Sequence, residues 1–133
     1  MKHAFLSSVL VCAALSLGAS VAQAQTKEVK FGCYAPMTGQ LAIFGKSMQS
    51  GFDMAIDDFQ KSPHAKGIKF SIQCEDDQGR ADDGINIARK FIEDKSILAV
   101  LGSWSSTVTL AAGPIYNQAK MVNITPISSH PDV

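Results

Sequence analysis

A hydroxyl-rich segment at residues 103–107 carries the side chains best suited to hold a ligand, and Trp104 adds an aromatic surface to it. The apolar run at residues 97–101 predicts a buried parallel strand just before it. The segment then lies at the carboxyl end of that strand and at the start of a helix. Ligands of open α/β sheets bind at such strand ends, and the free N–H groups of a helix N-terminus attract anions. The segment therefore predicts a site for a small polar ligand.

Catalysis by the same segment is the alternative interpretation. Residues 102–106 superficially resemble the G-x-S-x-G turn of hydrolases, but Ser106 stands where the second glycine is needed. A serine nucleophile also needs a base, and only His130 is in a plausible partner position. We therefore predict a protein that binds its ligand without transforming it, so not an enzyme, and keep an exported hydrolase as the alternative.

The acidic and histidine residues give no pattern typical of a metal or cofactor site. Glu75, Asp76 and Asp77 are adjacent and lack calcium-loop spacing, which favours a cluster that fixes its own loop. His64 and His130 lie far apart without ligand spacing around them. The glycines form neither a dinucleotide fingerprint nor a phosphate loop. No metal and no cofactor are predicted.

The N-terminus has the composition of a secretory signal peptide. Residues 1–24 contain a short polar start, an apolar stretch and Ala22-Gln23-Ala24, which fits the A-x-A cleavage pattern. No later apolar stretch reaches the length of a membrane span. The formal net charge is zero, which argues against binding to nucleic acid or anionic membranes. We expect an exported protein whose residues 25–133 form one modest domain, without direct membrane insertion.

Strand and helix patterns alternate along the rest of the chain. Strands are predicted at residues 29–34, 68–74, 97–101 and 121–125, and the first helix at about residues 47–60. Asp82 or Asp83 is the expected N-cap of the second helix, and Ser105 or Ser106 of the third. In the third helix, the apolar residues expected to pack against the sheet are Leu110, Ala111, Ile115 and Ala119. This order predicts an α/β fold, a parallel sheet with helices on both faces. The fourth strand would leave an open edge, so we expect a longer protein.

Two cysteines, Cys33 and Cys74, lie near the ends of strands expected to be neighbours. Export favours a disulfide between them. Adjacent parallel strands rarely give comfortable bridge geometry, and two buried thiols would also fit. Both interpretations stay open from the sequence.

A set of ordered motifs extends from Val29 to the end of the chain. The motifs are Val29-Lys30-Phe31-Gly32, Ala35-Pro36-Met37-Thr38-Gly39, Glu75-Asp76-Asp77-Gln78, Gly102-x-x-Ser105-Ser106-Thr107, Ala112-x-Pro114-Ile115-Tyr116, and Ile124-Thr125-Pro126 with Ser128 and Ser129. Together they resemble periplasmic branched-chain amino-acid-binding proteins, the Leu/Ile/Val-binding family of the type I periplasmic binding protein class. These proteins are the solute receptors of ABC importers.

The resemblance implies two α/β lobes joined by a hinge, with the ligand trapped between them. Residues 25–133 would form only part of the N-terminal lobe. It also implies a periplasmic location, a small carboxylate-bearing ligand such as a branched-chain amino acid, and an ABC transporter permease as partner. A ligand-sensing receptor ectodomain of the same fold is the alternative role.

The resemblance assigns roles to individual residues. It implies that Ser106 receives the ligand carboxylate through its hydroxyl and backbone N–H, and that Ser129 does the same while lying near the ligand ammonium. The carbonyl of Ile127 would accept from the ammonium. Phe44 would cover the ligand side chain, and Ser128 is a further expected contact.

Two departures from the family pattern bear on the ligand. Gly79 and Ser105 stand where some members carry a disulfide, so that bridge is not formed here. Trp104 adds a large aromatic side chain beside the expected carboxylate site. It leaves room for aromatic acids, amides or urea-like solutes besides aliphatic amino acids.

Overall fold

The structure is a computed structural model that describes residues 26–133. The predicted signal peptide lies outside the described residues. Four strands alternate with three helices, in the order β1 (Lys27–Ala35), α1 (Ala42–Lys61), β2 (Ile68–Asp76), α2 (Ala81–Glu93), β3 (Ile97–Gly102), α3 (Ser106–Gln118) and β4 (Val122–Ile124). Short 3₁₀ turns at Gly39–Leu41 and Pro63–Ala65 flank α1. The predicted α/β fold is confirmed.

All four strands are parallel, in the order β2-β1-β3-β4. Cys33 on β1 lies directly opposite Cys74 on β2, with their Cα atoms 4.3 Å apart, and the two form a disulfide. Of the two interpretations left open by the sequence, the structure therefore has the bridge. It ties the two strands together close to their carboxyl ends.

One face of the sheet packs against α2 and α3. Side chains alternate between the faces of a strand, so Tyr34 of β1 and Val100 of β3 point into the same layer. The ring of Phe91 on α2 is fully buried there. The buried cluster as a whole contains Tyr34, Ile87, Ala88, Phe91, Ile97, Val100, Val108, Ala112 and Tyr116. This layer holds the N-terminus of α3 against the carboxyl end of β3.

The opposite face carries α1. Phe59 of α1 meets Phe70 of β2 edge to face at a centroid distance of 5.0 Å, and Phe70 stacks near Phe31 of β1. The helix covers β1 and β2, whereas Val122 and Ile124 of β4 are 57% and 55% exposed. Helices therefore lie on both faces, as predicted, with the β4 side of the α1 face open.

The first helix begins at Ala42, five residues before the predicted start at residue 47. The prediction treated Gly45 as the end of a loop. Gly45 is instead buried in the first turns of α1, where a Cβ atom would collide with the carbonyl oxygen of Pro36. The glycine thus allows α1 to approach the end of β1, and Phe44 becomes a helical residue.

Ser105 is confirmed at the N-cap position of α3, whereas the predicted caps of α2 and the predicted stripe of α3 are wrong. Arg80 is at the N-cap position of α2, while Asp82 and Asp83 lie in its first turn, where negative charge favours the helix dipole. Ser105 is at the N-cap position of α3 but makes no side-chain cap hydrogen bond. The buried residues of α3 are Val108, Thr109, Ala112 and Tyr116, whereas Leu110, Ala111 and Ile115 are partly buried and Ala119 is exposed.

Asp94, in the turn before β3, gives the fold a pH dependence. Hydrogen bonds from the hydroxyl and N–H of Ser96, and then from Lys30, lower the pKa of Asp94 to about 2. Because the ordinary aspartate pKa is about 3.9, this stabilisation is complete above about pH 4 and lost as the pH falls towards 2. We expect the thermal midpoint of Asp94→Asn to fall less between pH 4 and pH 2 than that of the wild type. An equal fall in both, with exposed Asp57→Asn as control, would contradict this role.

Candidate functional site

The loops that follow the four strands meet at one edge of the sheet. The loop after β1 is fixed to the loop after β2, because the N–H of Met37 donates to Asp76 Oδ1 at 2.8 Å and the N–H of Asp77 donates to the carbonyl of Ala35 at 3.1 Å. The hydroxyl of Thr38 also donates to Asp76. The edge where these loops meet is the one at which ligands of parallel α/β sheets bind.

Asp76 holds its two loops together as an ionised group. Burial opposes its ionisation, but hydrogen bonds from Thr38, Met37 and Gln78 outweigh burial and lower its pKa. The acidic cluster predicted to fix its own loop therefore fixes the neighbouring loop as well.

Asp77 has a different environment and is completely buried. Its Oδ2 accepts from the hydroxyl of Ser103 at 2.6 Å, and its Oδ1 accepts from the N–H of Gly79 at 2.8 Å. Burial raises the pKa of Asp77, and these two hydrogen bonds offset the effect only in part. Ser103 Oγ in turn accepts from the N–H of Ser105 at 3.1 Å. The buried carboxyl group is thus linked to the residue that precedes α3.

Ser103 also connects α3 to the loop after β4. Its N–H donates to Thr109 Oγ1 at 3.1 Å, and its carbonyl accepts from the hydroxyls of Thr125 and Ser128, each at 3.0 Å. The hydroxyl oxygens of Thr109 and Ser128 lie 2.8 Å apart, and Thr109 also donates to the carbonyl of Ser105 at 3.1 Å. We call the set Asp77, Ser103, Thr109, Thr125 and Ser128 the hydroxyl network.

Ser106 and Ser129, predicted from resemblance to share a ligand, lie next to each other. Ser106 Oγ accepts from the N–H of Ser129 at 3.2 Å and from the N–H of His130 at 3.4 Å. A hydroxyl that accepts two hydrogen bonds still has its own proton to donate. Ser106 is half-buried in the first turn of α3, so that proton is available near a helix N-terminus.

Phe44 and Trp104 form one aromatic surface. Their rings stack with centroids 4.6 Å apart and planes 17° apart. Phe44 is 45% exposed on the first turn of α1, and Trp104 is half-buried two residues before Ser106. The pair therefore joins α1 to the loop that leads into α3.

The other two predicted residues lie in the loop after β4. Ile127 is 47% exposed, and Ser128 takes part in the hydroxyl network. A cavity of about 720 Å³ runs along α3 and β4, with Thr109 and Thr125 at its border, but Ser106 and Ser129 do not line it. The Ser106–Ser129 pair thus lies outside that cavity.

The buried hydroxyl network was not predicted as a unit. Asp77 was predicted to belong to a loop-fixing cluster, Ser103 and Thr125 were predicted only as members of longer motifs, and Thr109 was not predicted to have a role. A usable signal is that Asp77 and Ser103 each lie within three residues of the end of a predicted strand. Connecting them requires the strand order, because β1 lies between β2 and β3.

Residues 26–133 were also considered for metal-binding groups and membrane-spanning helices. In that part of the chain, His, Cys, Asp and Glu side chains form no group of three or more that could hold a metal ion. None of the helices described has the length and apolar character needed to cross a membrane.

Comparison with known proteins identifies binding proteins as relatives of this chain. The sequence pattern of the family described as periplasmic binding protein matches residues 28–133. The Leu/Ile/Val-binding protein homolog 1 of Brucella abortus is 29% identical over 131 residues, which are 98% of this chain and 34% of the relative. The chain thus spans about a third of the length of the curated relatives it matches.

Solved structures give the same result. A Rhodospirillum rubrum protein, described as a proposed branched-chain amino acid ABC transporter, is 34% identical with a TM-score of 0.76, over 79% of this chain and 30% of that one. A substrate-binding protein of Desulfitobacterium hafniense in complex with Leu is 29% identical with a TM-score of 0.68, over 80% and 30%. A solute-binding protein of Rhodopseudomonas palustris in complex with 3,4-dihydroxybenzoic acid is 26% identical with a TM-score of 0.67, over 75% and 27%.

The three solved structures superpose on the strands and helices described above, with TM-scores of 0.76, 0.68 and 0.67. The family pattern covers the chain from the start of β1 to its last residue, including every loop of the candidate site. The chain belongs to the periplasmic binding protein family.

Proposed function

We propose that the protein is an extracytoplasmic solute receptor of an ABC transporter, which binds a small carboxylate-bearing ligand and delivers it to the membrane permease. The observation that carries the proposal is the geometry of Ser106. Its oxygen is occupied by two backbone N–H groups of the loop after β4, so its hydroxyl proton is left for an acceptor. A ligand carboxylate is an acceptor of this kind.

The surroundings of Ser106 suit a carboxylate for a second reason. Ser105 does not cap α3 with its side chain, and the first N–H groups of a helix have no partner within the helix. A carboxylate at this point accepts hydrogen bonds from these N–H groups and is also stabilised by the positive end of the helix dipole. We propose that Ser106 binds one carboxylate oxygen and that Ser129 and Ile127 border the adjoining part of the ligand.

The aromatic surface of Phe44 and Trp104 favours an apolar group on the ligand beside the carboxylate. A branched-chain amino acid has this combination, and two of the relatives are named for Leu or for Leu/Ile/Val binding. An aromatic acid is the second candidate, because stacked rings offer a flat surface and one relative holds 3,4-dihydroxybenzoic acid. Both candidates use the same carboxylate site.

The loops described here form one side of the proposed ligand site. We propose that a second lobe in the complete protein supplies the other side, including an acid for a ligand ammonium. Closure of the two lobes on the ligand would then be biased by the contacts that exist only in the closed state. The closed form would be the one that the permease recognises.

Ser106→Ala tests the proposal in the complete protein. We expect leucine affinity, measured by calorimetry, to fall by about 1–3 kcal/mol, roughly fivefold to 150-fold, because a carboxylate loses a charge-assisted hydrogen bond. Ser50→Ala is the matched control, since Ser50 is exposed on α1 and bonds only to the carbonyl of Lys46. If Ser106→Ala binds leucine and an aromatic acid such as benzoate as tightly as the wild type, Ser106 is not in the site.

A further inference from the structure

We propose that Ser103, held by the buried carboxyl group of Asp77, is the positioning residue of the carboxylate site. In this role Ser103 touches no ligand. It fixes the first turn of α3 relative to the loop after β4, so that Ser106 faces Ser129. The inference rests on the proposed function, because it assigns a purpose to the geometry around Ser106.

Ser103 lies where the end of β2, the start of α3 and the loop after β4 meet. Its hydroxyl donates to Asp77, at the end of β2, and accepts from the N–H of Ser105 before α3. Its carbonyl accepts from Thr125 and Ser128, both after β4. All three polar groups of this residue are used, because its N–H donates to Thr109 of α3.

The central side chains of the hydroxyl network are buried. Asp77 and Ser103 are both 0% exposed, and Thr109 is 5% exposed. A buried carboxyl group is costly unless its oxygens are hydrogen-bonded, and leaving one partner unsatisfied costs more than the bond itself contributes. Each of these side chains is therefore restricted to one arrangement, and the loops attached to them are restricted with it.

Short hydrogen-bonded paths connect Ser103 to Ser106. From Ser103, one route runs through the N–H of Ser105 to the next residue, Ser106. The other runs through the hydroxyl of Ser128 to the next residue, Ser129, whose N–H donates to Ser106. Ser103 thus controls both partners of the Ser106–Ser129 contact, each from one residue away.

Two variants remove the network at different points. Ser103→Ala deletes the central hydroxyl, and Asp77→Asn keeps the size of the side chain but replaces the acceptor of the Ser103 proton with a donor. Thr109→Val and Thr109→Ser form a matched pair, because both are close in size to Thr and only Ser keeps the hydroxyl. This pair keeps the inference testable if Ser103→Ala does not fold.

The ligand readout compares leucine with leucinamide, which lacks the carboxylate. In the complete wild-type protein we expect leucine to bind more tightly. Ser103→Ala, Asp77→Asn and Thr109→Val should each reduce that preference by about tenfold, with leucinamide affinity nearly unchanged, whereas Thr109→Ser keeps the preference. If Ser103 only stabilised the fold, these variants would weaken the binding of leucine and of leucinamide equally, and that result would overturn the inference.

A second readout needs no ligand. The amide signals of Ser129 and His130 report their hydrogen bonds to Ser106, so the ¹H–¹⁵N shifts of both should move in Ser103→Ala in the same direction as in Ser106→Ala. If wild type prefers neither leucine to leucinamide nor benzoate to benzamide, the proposed carboxylate site fails, and these shifts still decide whether Ser103 positions Ser106 against Ser129. If the amide shifts of Ser129 and His130 do not move in a folded Ser103→Ala protein, the inference is wrong.

Discussion

Removal of the Cys33–Cys74 disulfide will lower the free energy of unfolding by about 4 kcal/mol, according to the chain-entropy relation for a closed loop of this length. The bridge joins residues 41 positions apart, so it excludes many extended conformations of the unfolded chain. We expect Cys74→Ala to show this loss in urea unfolding monitored by circular dichroism. The oxidised wild type is the reference.

Reduction of the wild type breaks the bridge but keeps both cysteine side chains. It therefore distinguishes the effect of the bridge on stability from the effect of cysteine packing. A reductant should bring the wild type close to the stability of Cys74→Ala and leave the variant itself unchanged. Equal stability of the oxidised wild type and the variant would mean that the bridge does not constrain the unfolded chain. A free thiol on Cys33 or Cys74 in the unreduced, denatured wild type would contradict the bridge itself; the thiol of Cys12 lies outside the bridge and does not bear on it.

The bridge lies close to the candidate site, so we expect its loss to affect the site as well. Two residues after Cys33 and Cys74, the strands end at Ala35 and Asp76, where the loops after β1 and β2 are hydrogen-bonded to each other. Asp77 follows directly. A disulfide at this point limits the separation of the two strands beneath the buried carboxyl group.

The sequence predicted the alternation of strands and helices because each element repeats its apolar residues with a clear period. The strand at residues 68–74 alternates apolar and polar residues, and its match is β2 (Ile68–Asp76). The start of α1 was missed for a tertiary reason. Gly45 normally indicates a turn, but here it lies within a helix, because only a residue without a side chain fits beside Pro36.

The buried stripe of α3 was missed for a different reason. Apolar residues surround this helix on most sides, so its periodicity does not single out one face. Val108, Ala112 and Tyr116 are spaced four residues apart and face α2 and the sheet, whereas the predicted stripe is only partly buried or exposed. The choice between the two stripes depends on where α2 packs, which no local pattern encodes.

The candidate site, like the fold, has one part that follows from local sequence patterns and another that depends on the tertiary structure. The position of Ser106 at a strand end and a helix start follows from local patterns, and the resemblance implied that Ser106 and Ser129 share a ligand carboxylate, whereas the hydrogen bond between them is seen only in the structure. The link between Asp77 and Ser103 depends on a sheet in which β2 and β3 flank the end of β1. Sequence reasoning placed both residues at strand ends but had no means to bring those two ends together.

Phe91→Ala should cost about 3–5 kcal/mol of folding free energy, since the ring is fully buried and its removal leaves a cavity. Phe91 joins α2 to β1, and its loss will loosen the layer that supports α3. The measurement is urea unfolding at one pH and temperature. Phe59→Ala is the matched control, because the ring of Phe59 is 45% exposed on the opposite face and should cost well under half as much.

The partner of Phe91 on the sheet allows a sharper test. At Gly32 of β1, a Cβ atom would lie 2.9 Å from Cε2 of Phe91, so the ring occupies the space that a side chain on β1 would need. Gly32→Ala alone should therefore destabilise the protein through overpacking. In the Phe91→Ala background the added methyl group enters the cavity instead, and the double variant should be more stable than the sum of the single losses predicts, by about 0.5–3 kcal/mol. Strict additivity would show that Phe91 does not pack on Gly32, and the assignment of α2 to this face of the sheet would have to be revised.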